Sequence, residues 1–190
     1  MSEKKILEIV KSAKLFAQKQ HRGQKRSDHH TPYTHHLRDV VKNLEMMGIN
    51  DESILCAGWL HDVIEDTDTD FDEIATKFGK KTAQIVSDVT KEMRLPKTLR
   101  EKNYLKQLSN CSWQAKSVKL GDILANISDL KNSELTKKQK IIQVKYKIKY
   151  LGAIKSGIIK NNSKIPHLFE AENSLNLVLD QYDQRKITLF

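Results

Sequence analysis

The sequence predicts an all-α protein folded as a single domain over residues 1–190. Apolar residues recur at the three- and four-residue spacing of amphipathic helices along most of the chain. Only three prolines and seven glycines interrupt the 190 residues, and strand-like alternation occurs only in the last few, from Lys186 to Phe190. A chain of this length supports one substantial core but is short for two, and neither a repeat nor a flexible linker divides it.

Two apolar stripes predict the first two helices. The first stripe consists of Ile6, Ile9, Val10, Ala13, Phe16 and Ala17, and the second of Leu37, Val40, Val41 and Leu44. Gly48 is expected to end the second helix, because glycine adopts the left-handed conformation that is common after a last helical turn. A third helix is expected to begin near Asp51 and to carry the apolar run 53–60.

Five further helices are expected over residues 69–79, 81–92, 113–130, 135–159 and 166–184. Acidic residues suit the first turn of the helix that starts at Thr69, and Pro166 is tolerated in a first turn. Two connections differ from the rest: residues 21–33 form a long, polar and basic loop, and residues 93–97 form a shorter one. Loops of this kind often carry function.

Composition indicates a globular protein with a core. Apolar residues make up 38% of the chain and the mean hydropathy is −0.57, values that exclude a disordered polypeptide. No apolar run approaches the roughly 20 residues that span a bilayer, and the N-terminus lacks a signal-peptide core, so we expect a cytoplasmic protein without membrane contact. The two cysteines, Cys56 and Cys111, are far apart, which argues against a disulfide scaffold or cysteine-bound zinc.

The net charge of +9 favours a polyanionic partner, either nucleic acid or a phosphate-rich small molecule. The alternative is a soluble, lysine-rich surface. This alternative is supported by lysines that fall mostly on helical faces, namely Lys137, Lys138, Lys140, Lys145, Lys147 and Lys149. The loop 21–33 is likewise either a solvated connection or a clamp in which Arg22, Lys25 and Arg26 bind a phosphate or a base. The sequence carries no signal for an oligomeric state.

The most informative stretch is the pair His61–Asp62, at the end of the apolar third helix. An adjacent imidazole and carboxylate can bind one divalent metal ion together. A carboxylate at the end of such a run is partly buried, which is costly without a partner or a metal. Glu65 lies one turn beyond His61 and points the same way if the helix continues, and Asp66 follows it. Four ionisable groups within six residues indicate a site.

Further ligands must come from other segments. His35 and His36 open the second helix, and Asp122 and Asn126 lie one turn apart on an otherwise largely apolar helix, with Asp129 on the same face. Two imidazoles and two carboxylates suit manganese, iron, cobalt or zinc and leave positions for water and substrate. Singly, each residue is explained by a helix cap or a satisfied polar contact. Together they favour a site, because apolar helices rarely carry several ionisable groups without a use.

Four segments resemble the hydrolase domain of RelA/SpoT-type enzymes, which are HD-domain metal-dependent phosphohydrolases. The segments are residues 21–26, 31–36, 60–67 and 118–126. The resemblance runs roughly from Ala13 to Tyr150 and leaves no room for a synthetase domain. It therefore implies an HD-domain helical bundle that acts as a stand-alone small alarmone hydrolase of the Mesh type.

The resemblance also implies roles for particular residues. The metal ligands of the family, with Mn²⁺ the usual ion, match His36, His61, Asp62 and Asp122, and His35 stands beside the first of these. The acidic pair that handles water and protons matches Glu65 and Asp66. Positions on the nucleotide side match Arg26 and Asn126, with Lys97 at a phosphate-side position and Tyr146 at a base-side position; Lys25 is expected to offset phosphate charge together with Arg26.

The implied reaction is hydrolysis of the 3′-pyrophosphate of guanosine tetra- or pentaphosphate to GDP or GTP and pyrophosphate. Departures from the family pattern at Ile123, Ala125 and Ser128 fall in the substrate pocket, so substrate identity is the open point. One alternative is hydrolysis of another nucleotide, such as removal of the 2′-phosphate of NADPH. The other is a non-catalytic module that binds a nucleotide or a nucleic acid, and the full metal set with its acidic pair argues against it.

Overall fold

The computed structural model describes residues 3–190, with side chains described from Leu7 onward. Its α-helices are α1 (Glu3–Gln20), α2 (Thr34–Met46), α3 (Glu52–Leu60), α4 (Val63–Asp66), α5 (Phe71–Phe78), α6 (Lys80–Val89), α7 (Lys97–Asn110), α8 (Trp113–Asp129), α9 (Lys137–Lys160) and α10 (Leu168–Gln181). Over these residues no β-strand forms, apart from one isolated bridge between Lys25 and Pro32. The prediction of an all-α fold is confirmed.

Side-chain caps explain where several helices begin. Asp51, Asp70 and Ser112 each accept a hydrogen bond from the backbone N–H three residues further on, at 3.1, 2.8 and 3.2 Å. Such caps satisfy backbone donors that have no partner within the first helical turn. The predicted starts of α3 and α8 agree with the structure for this reason, whereas α5 begins at Phe71, two residues after the predicted start at Thr69.

One helix escapes the sequence analysis, which places none over residues 97–110. The helix α7 fills this range but buries only Tyr104 and Leu108, one turn apart. Its apolar stripe is therefore too thin to stand out from the polar residues around it. The predicted helix over 81–92 is too long, because α6 ends at Val89 and Thr90 is extended, with φ −82° and ψ 136°.

The last residues do not form a strand. They run without regular secondary structure along α10, where the Asn176 side chain bonds the backbone N–H and C=O of Ile187 at 2.8 and 2.9 Å. The backbone N–H of Leu189 donates to the Glu172 carboxylate at 2.6 Å, and the Leu189 side chain is fully buried. The alternation at the C-terminus therefore reflects docking on a helix instead of pairing in a sheet.

The third predicted helix breaks at the most informative pair. Helix α3 ends at Leu60, a turn covers His61 and Asp62, and α4 begins at Val63. The condition that the helix continues is therefore not met, so the expectation that Glu65 points the same way as His61 no longer follows from helical spacing. The Glu65 carboxylate accepts a hydrogen bond from the backbone N–H of Lys91 at 3.0 Å instead.

Two glycines let the site-bearing helices approach closely. A Cβ added at Gly58 of α3 would lie 2.8 Å from Leu44 Cδ1 of α2, and one added at Gly121 of α8 would lie 3.2 Å from the carbonyl oxygen of Val40. The Asn43 side chain ties α2 to α8 by donating to the carbonyl of Gly121 at 2.9 Å. The polar residues at the ends of α2 and α3 are thereby brought against α8.

Helix α8 contacts α2, α3, α6, α9 and α10. Its buried positions include three charged residues, Lys116, Lys119 and Asp122. Charged residues are rarely buried this fully unless they are paired, so we expect each of these three side chains to have a binding partner. No helix within residues 3–190 is long and apolar enough to cross a membrane.

Candidate metal centre

Four side chains from three elements meet where α2, the end of α3 and α8 converge. His36 lies in the first turn of α2, His61 and Asp62 form the turn after α3, and Asp122 lies in the middle of α8. His36, His61 and Asp122 are buried, and Asp62 is partly exposed. His35, by contrast, is exposed at the surface, so the structure brings His36 and not its neighbour into the cluster.

The polar atoms of the cluster face one another at short range. The two Nε2 atoms of His36 and His61 lie 3.2 Å apart. Asp62 Oδ2 lies 2.9 Å from His61 Nε2 and 3.6 Å from His36 Nε2. Asp122 Oδ1 lies 3.3 Å from His36 Nε2 and 3.8 Å from His61 Nε2. Both carboxylates therefore contact the same pair of ring nitrogens.

The tautomer of His61 follows from its second ring nitrogen. His61 Nδ1 lies 2.9 Å from the carbonyl oxygen of Gly58, which can only accept, so Nδ1 carries the proton. The neutral ring then directs a lone pair from Nε2 toward His36, an orientation typical of metal-binding histidines. His36 Nδ1 is buried without a hydrogen-bond partner among the described residues. The two Nε2 atoms can face each other at 3.2 Å only with a proton or a metal cation between them.

The two histidines respond to the carboxylates in opposite ways. Burial alone would lower the pKa of His61, but attraction and hydrogen bonding from Asp62, together with Asp122, raise it to about 9. Burial dominates at His36 and lowers its pKa, although Asp122 acts in the other direction. The field of the carboxylates therefore favours one positive charge in the cluster, which a proton or a cation can supply.

Asp122 is held by two neighbours on its own helix. Lys119 Nζ donates to Asp122 Oδ2 at 2.7 Å, and the Asn126 amide donates to Asp122 Oδ1 and, at 3.0 Å, to the Asp122 backbone carbonyl. Although burial opposes ionisation, the nearby Lys119 holds the pKa of Asp122 well below its usual range. Asn126, expected beside a nucleotide, thus also orients a member of the cluster.

Asp62 is held by a residue that the sequence analysis missed. The hydroxyl of Tyr33 donates to Asp62 Oδ2 at 2.5 Å. Tyr33 precedes α2 by one residue, within the segment 31–36 that carries the resemblance. This position in the sequence could have indicated the role of Tyr33, since a tyrosine close to a metal-binding histidine can reach a second ligand.

The acidic pair splits into two environments. Glu65 is bonded to the backbone of Lys91, as described above, whereas Asp66 lies at the exposed edge of the cluster. Partial burial of its carboxyl group, followed by repulsion from Asp62 and Glu65, raises the pKa of Asp66 to about 6. A carboxyl group with this pKa can accept or release a proton near neutral pH.

A cavity of about 350 Å³ adjoins the cluster. Its lining includes Lys25, Arg26, Tyr33, Asn126, Asp129 and Lys147. Tyr33 touches Asp62 and Asn126 touches Asp122, so the cavity reaches the cluster through these two side chains. A volume of this size accommodates part of a ligand of nucleotide size.

The expected substrate contacts differ in their placement. Arg26 lines the cavity but its Nε and Nη2 atoms both donate to Asp129 Oδ2, at 3.1 and 2.9 Å, which offsets its charge. Lys25 also lines the cavity, and its ammonium donates to the backbone carbonyl of His30 at 3.3 Å. Lys97 is exposed at the first residue of α7, Tyr146 is half-buried on α9, and neither lines the cavity.

Comparison with known protein families identifies the family of this chain. The HD-domain profile matches residues 13–148. The chain belongs to the HD-domain family. The resemblance of residues 13–150 to this family is thereby confirmed, and membership of the family implies a divalent metal ion.

Two curated relatives of this HD-domain chain carry the same description. It is 44% identical over 117 residues to the guanosine-3′,5′-bis(diphosphate) 3′-pyrophosphohydrolase MESH1 of Danio rerio, over 60% of this chain and 65% of that protein. It is 41% identical over 125 residues to MESH1 of Xenopus tropicalis, over 65% of this chain and 70% of that protein. The chain thus spans about 65% of the length of the Danio rerio relative.

A solved structure has a similar fold along most of the HD-domain chain. It is described by the words "A metazoan ortholog of SpoT hydrolyzes ppGpp and plays a role in starvation responses". The TM-score is 0.77 at 28% identity, and the match covers 91% of this chain and 94% of that one. The likeness therefore includes the helices beyond the residues that the family profile matches.

Three members of the cluster, His36, His61 and Asp62, offer donor atoms that all lie within 4.8 Å of one another, which fits one divalent ion, and Asp122 adjoins the same two ring nitrogens. Ligands about 2.0 to 2.2 Å from a common ion lie about 3 to 3.5 Å from one another. The observed separations between the nitrogen and oxygen atoms range from 2.9 to 3.8 Å. Imidazole nitrogens and carboxylate oxygens suit manganese, iron, cobalt and zinc, and the fixed His61 tautomer directs a lone pair toward the ion.

Proposed function

We propose that this HD-domain protein is a guanosine-3′,5′-bis(diphosphate) 3′-pyrophosphohydrolase. It would hydrolyse the 3′-pyrophosphate of ppGpp and pppGpp to give GDP or GTP and pyrophosphate. Water adds across the ester, so the bond between the ribose 3′ oxygen and its phosphorus breaks and a proton passes to that oxygen. The descriptions of the curated relatives and of the similar solved structure support this substrate.

The observation that carries the proposal is the junction between the cavity and the cluster. A cavity with basic side chains on its walls reaches two histidines and two carboxylates through Tyr33 and Asn126. A nucleoside in the cavity would place a phosphorylated ribose hydroxyl next to the cluster. A small-molecule nucleotide, and not a nucleic acid, is therefore the proposed partner.

His36, His61, Asp62 and Asp122 are the proposed ligands of one Mn²⁺ ion. An ion bound there supplies a Lewis acid that polarises a phosphoryl oxygen and lowers the pKa of bound water. Gly58 fixes the ring of His61, Tyr33 fixes Asp62, and Lys119 with Asn126 fixes Asp122. These partners preserve the orientation of the ligands, which metal affinity requires.

Glu65 and Asp66 are the proposed residues for water and proton handling. Asp66 suits the base, because its raised pKa of about 6 makes its carboxylate a better proton acceptor than an ordinary aspartate. Glu65 is fixed by the backbone of Lys91 and suits the positioning of water. Arg26, Lys25 and Asn126 would contact the nucleotide within the cavity, and Lys97 and Tyr146 would act at its margin.

We further propose that residues 1–190 form a single HD hydrolase domain acting in the cytoplasm. Support for the single domain comes from α10, which packs on α2 and α8, and from the His167 backbone N–H, which donates to the Met47 carbonyl at 3.1 Å. Support for the cytoplasm comes from Cys56 and Cys111, which are both free thiols, as expected in a reducing compartment.

The test is manganese-dependent turnover of the purified protein with ppGpp, with NADPH in parallel, and identification of all products. The proposal predicts GDP and pyrophosphate from ppGpp, and loss of both in Asp62→Ala. Orthophosphate from NADPH without any turnover of ppGpp would replace the proposed substrate. Salt-sensitive binding of RNA or DNA without hydrolysis of either nucleotide would support a binding module instead.

A further inference from the structure

Three ammonium groups lie around one aromatic ring beside the candidate metal centre. The Nζ atoms of Lys91, Lys119 and Lys147 lie 5.2, 5.1 and 5.8 Å from the centroid of the Tyr150 ring. The lysines come from three separate parts of the chain: Lys91 lies in the segment after α6, Lys119 lies in α8, and Lys147 lies in α9. Like charges repel, so a group of this kind is unfavourable unless anions compensate it.

The carboxylates of the protein compensate this group unevenly. Lys119 is paired with Asp122 at 2.7 Å, and Lys91 lies 4.0 Å from Glu101, which also accepts a hydrogen bond from the Tyr150 hydroxyl at 2.6 Å. Among the described residues, Lys147 has no carboxylate within 4.0 Å and donates no hydrogen bond to another residue. One positive charge in the group therefore lacks a protein counter-ion.

The position of Lys147 on its helix is not that of a solubilising lysine. It lies one turn after Val144 and one turn before Leu151, and both are buried. Lys147 thus occupies the inward face of α9 and lines the cavity together with Asn126 and Gln143. The structure therefore corrects the interpretation of Lys147 as one of the surface lysines. Lys145, two residues earlier, is exposed as that interpretation expects.

The charge on Lys147 is maintained at neutral pH despite its surroundings. Burial lowers its pKa, attraction to Asp122 raises it, and repulsion from Lys119 and Lys91 lowers it again, to about 8. A lysine that has lost part of its hydration and has like-charged neighbours gains more from an added anion than an exposed lysine does. The simpler interpretation is a lysine that packs its stem and keeps its ammonium in water.

We propose that Lys147 binds a phosphate oxygen of the substrate where the cavity meets the candidate metal centre. The chemical class of the ligand, a phosphorylated nucleotide, rests on the proposed function. The location of an anion site does not, because it follows from the cavity, the inward face of α9 and the absent counter-ion. Arg26 is already paired with Asp129, so Lys147 supplies the unpaired charge that Arg26 cannot.

The test compares Lys147→Met with the matched control Lys145→Met on the same helix. Binding of inorganic pyrophosphate to the manganese-loaded protein is measured by calorimetry, and manganese affinity is measured separately. Loss of a charge-assisted hydrogen bond in a partly buried site predicts a decrease in pyrophosphate affinity on the order of 10- to 100-fold in Lys147→Met. Lys147→Arg, which keeps the charge, should stay within about threefold of wild type, and Lys145→Met within about twofold. Manganese affinity should be unchanged in all three variants.

Kinetics with ppGpp separate this inference from the proposed function. If the protein hydrolyses ppGpp, the KM of Lys147→Met should increase by about the same factor as its affinity for pyrophosphate decreases. Lysine-dependent binding of pyrophosphate in a protein that does not hydrolyse ppGpp would preserve the anion site and reject the proposed substrate. Equal pyrophosphate affinities of wild type and Lys147→Met would overturn the inference whatever the turnover. If Lys147→Met does not fold, Lys147→Gln replaces it under the same criteria.

Discussion

The candidate metal centre and the adjoining cavity are built in different ways. Each ligand of the cluster lies in a helix or at its end, and each of His61, Asp62 and Asp122 is fixed by a separate partner. The cavity is lined by the basic loop, the end of α8 and α9, and the Arg26–Asp129 pair in its wall is partly exposed. Because the cluster is fixed by helix packing and the cavity by surface contacts, substitutions should affect reaction chemistry in the first and substrate affinity in the second.

The largest expected effect is the loss of a proposed metal ligand. Asp62→Ala should abolish measurable turnover and leave the fold intact, because Asp62 is partly exposed and buried His61 can lose its proton once the carboxylate that raises its pKa is removed. Turnover and thermal unfolding of the same preparation check this result. A variant that retains turnover would remove Asp62 from the ligand set.

Asp122→Ala should abolish turnover and also destabilise the protein. It leaves Lys119 buried without its partner, and breaking a buried ion pair from one side costs about 3–5 kcal/mol. The double variant Asp122→Ala with Lys119→Met should regain most of this stability and none of the turnover. Chemical denaturation of the three proteins measures the difference, and an equally unstable double variant would contradict the pairing argument.

A proton acceptor at Asp66 should appear in the pH dependence of turnover. The base acts only when deprotonated, and its pKa is raised to about 6, so kcat/KM should fall as the pH decreases through about 6. Asp66→Asn should lower kcat by about 10²- to 10⁴-fold and remove that limb of the profile. An unchanged limb in Asp66→Asn would assign the titration to another group.

Substitution of Tyr33, the partner of Asp62, should have a smaller effect that is confined to manganese affinity. Tyr33→Phe keeps the ring and loses only the hydroxyl that donates to Asp62 at 2.5 Å. Loss of a partner that orients a ligand lowers metal affinity by about 10- to 100-fold. Manganese titration measures the change, and turnover at saturating manganese should recover toward that of the wild type. Unaltered affinity would show that Asp62 does not depend on Tyr33.

The smallest effect is expected in the cavity wall. Asp129→Asn weakens a partly exposed ion pair to Arg26, and such pairs contribute about 0.2–1 kcal/mol. We therefore expect a change of about twofold to fivefold in KM, with kcat and manganese affinity unaltered. Steady-state kinetics check both parameters, and a large decrease in kcat would place Asp129 in the chemistry and blur the contrast between the two regions.

The same contrast explains what the sequence could predict. Helical spacing placed Asp122 and Asn126 on one face of α8, and the structure brings them into contact. Pairings between distant segments follow from the close packing at Gly58 and Gly121, which no local pattern indicates. A lysine on the inward face of α9 has the same sequence signature as a surface lysine, so Lys147 required the structure. The thin apolar stripe of α7 hid that helix for a similar reason.

The central claim is that one divalent ion, held by His36, His61, Asp62 and Asp122, drives hydrolysis in the adjoining cavity. The most direct test is a manganese titration of chelator-treated protein, with bound metal measured by electron paramagnetic resonance and turnover of ppGpp measured in the same samples. We predict that turnover rises in proportion to one bound equivalent and that Asp62→Ala loses both. Turnover without bound metal, or full manganese binding by Asp62→Ala, would contradict the claim.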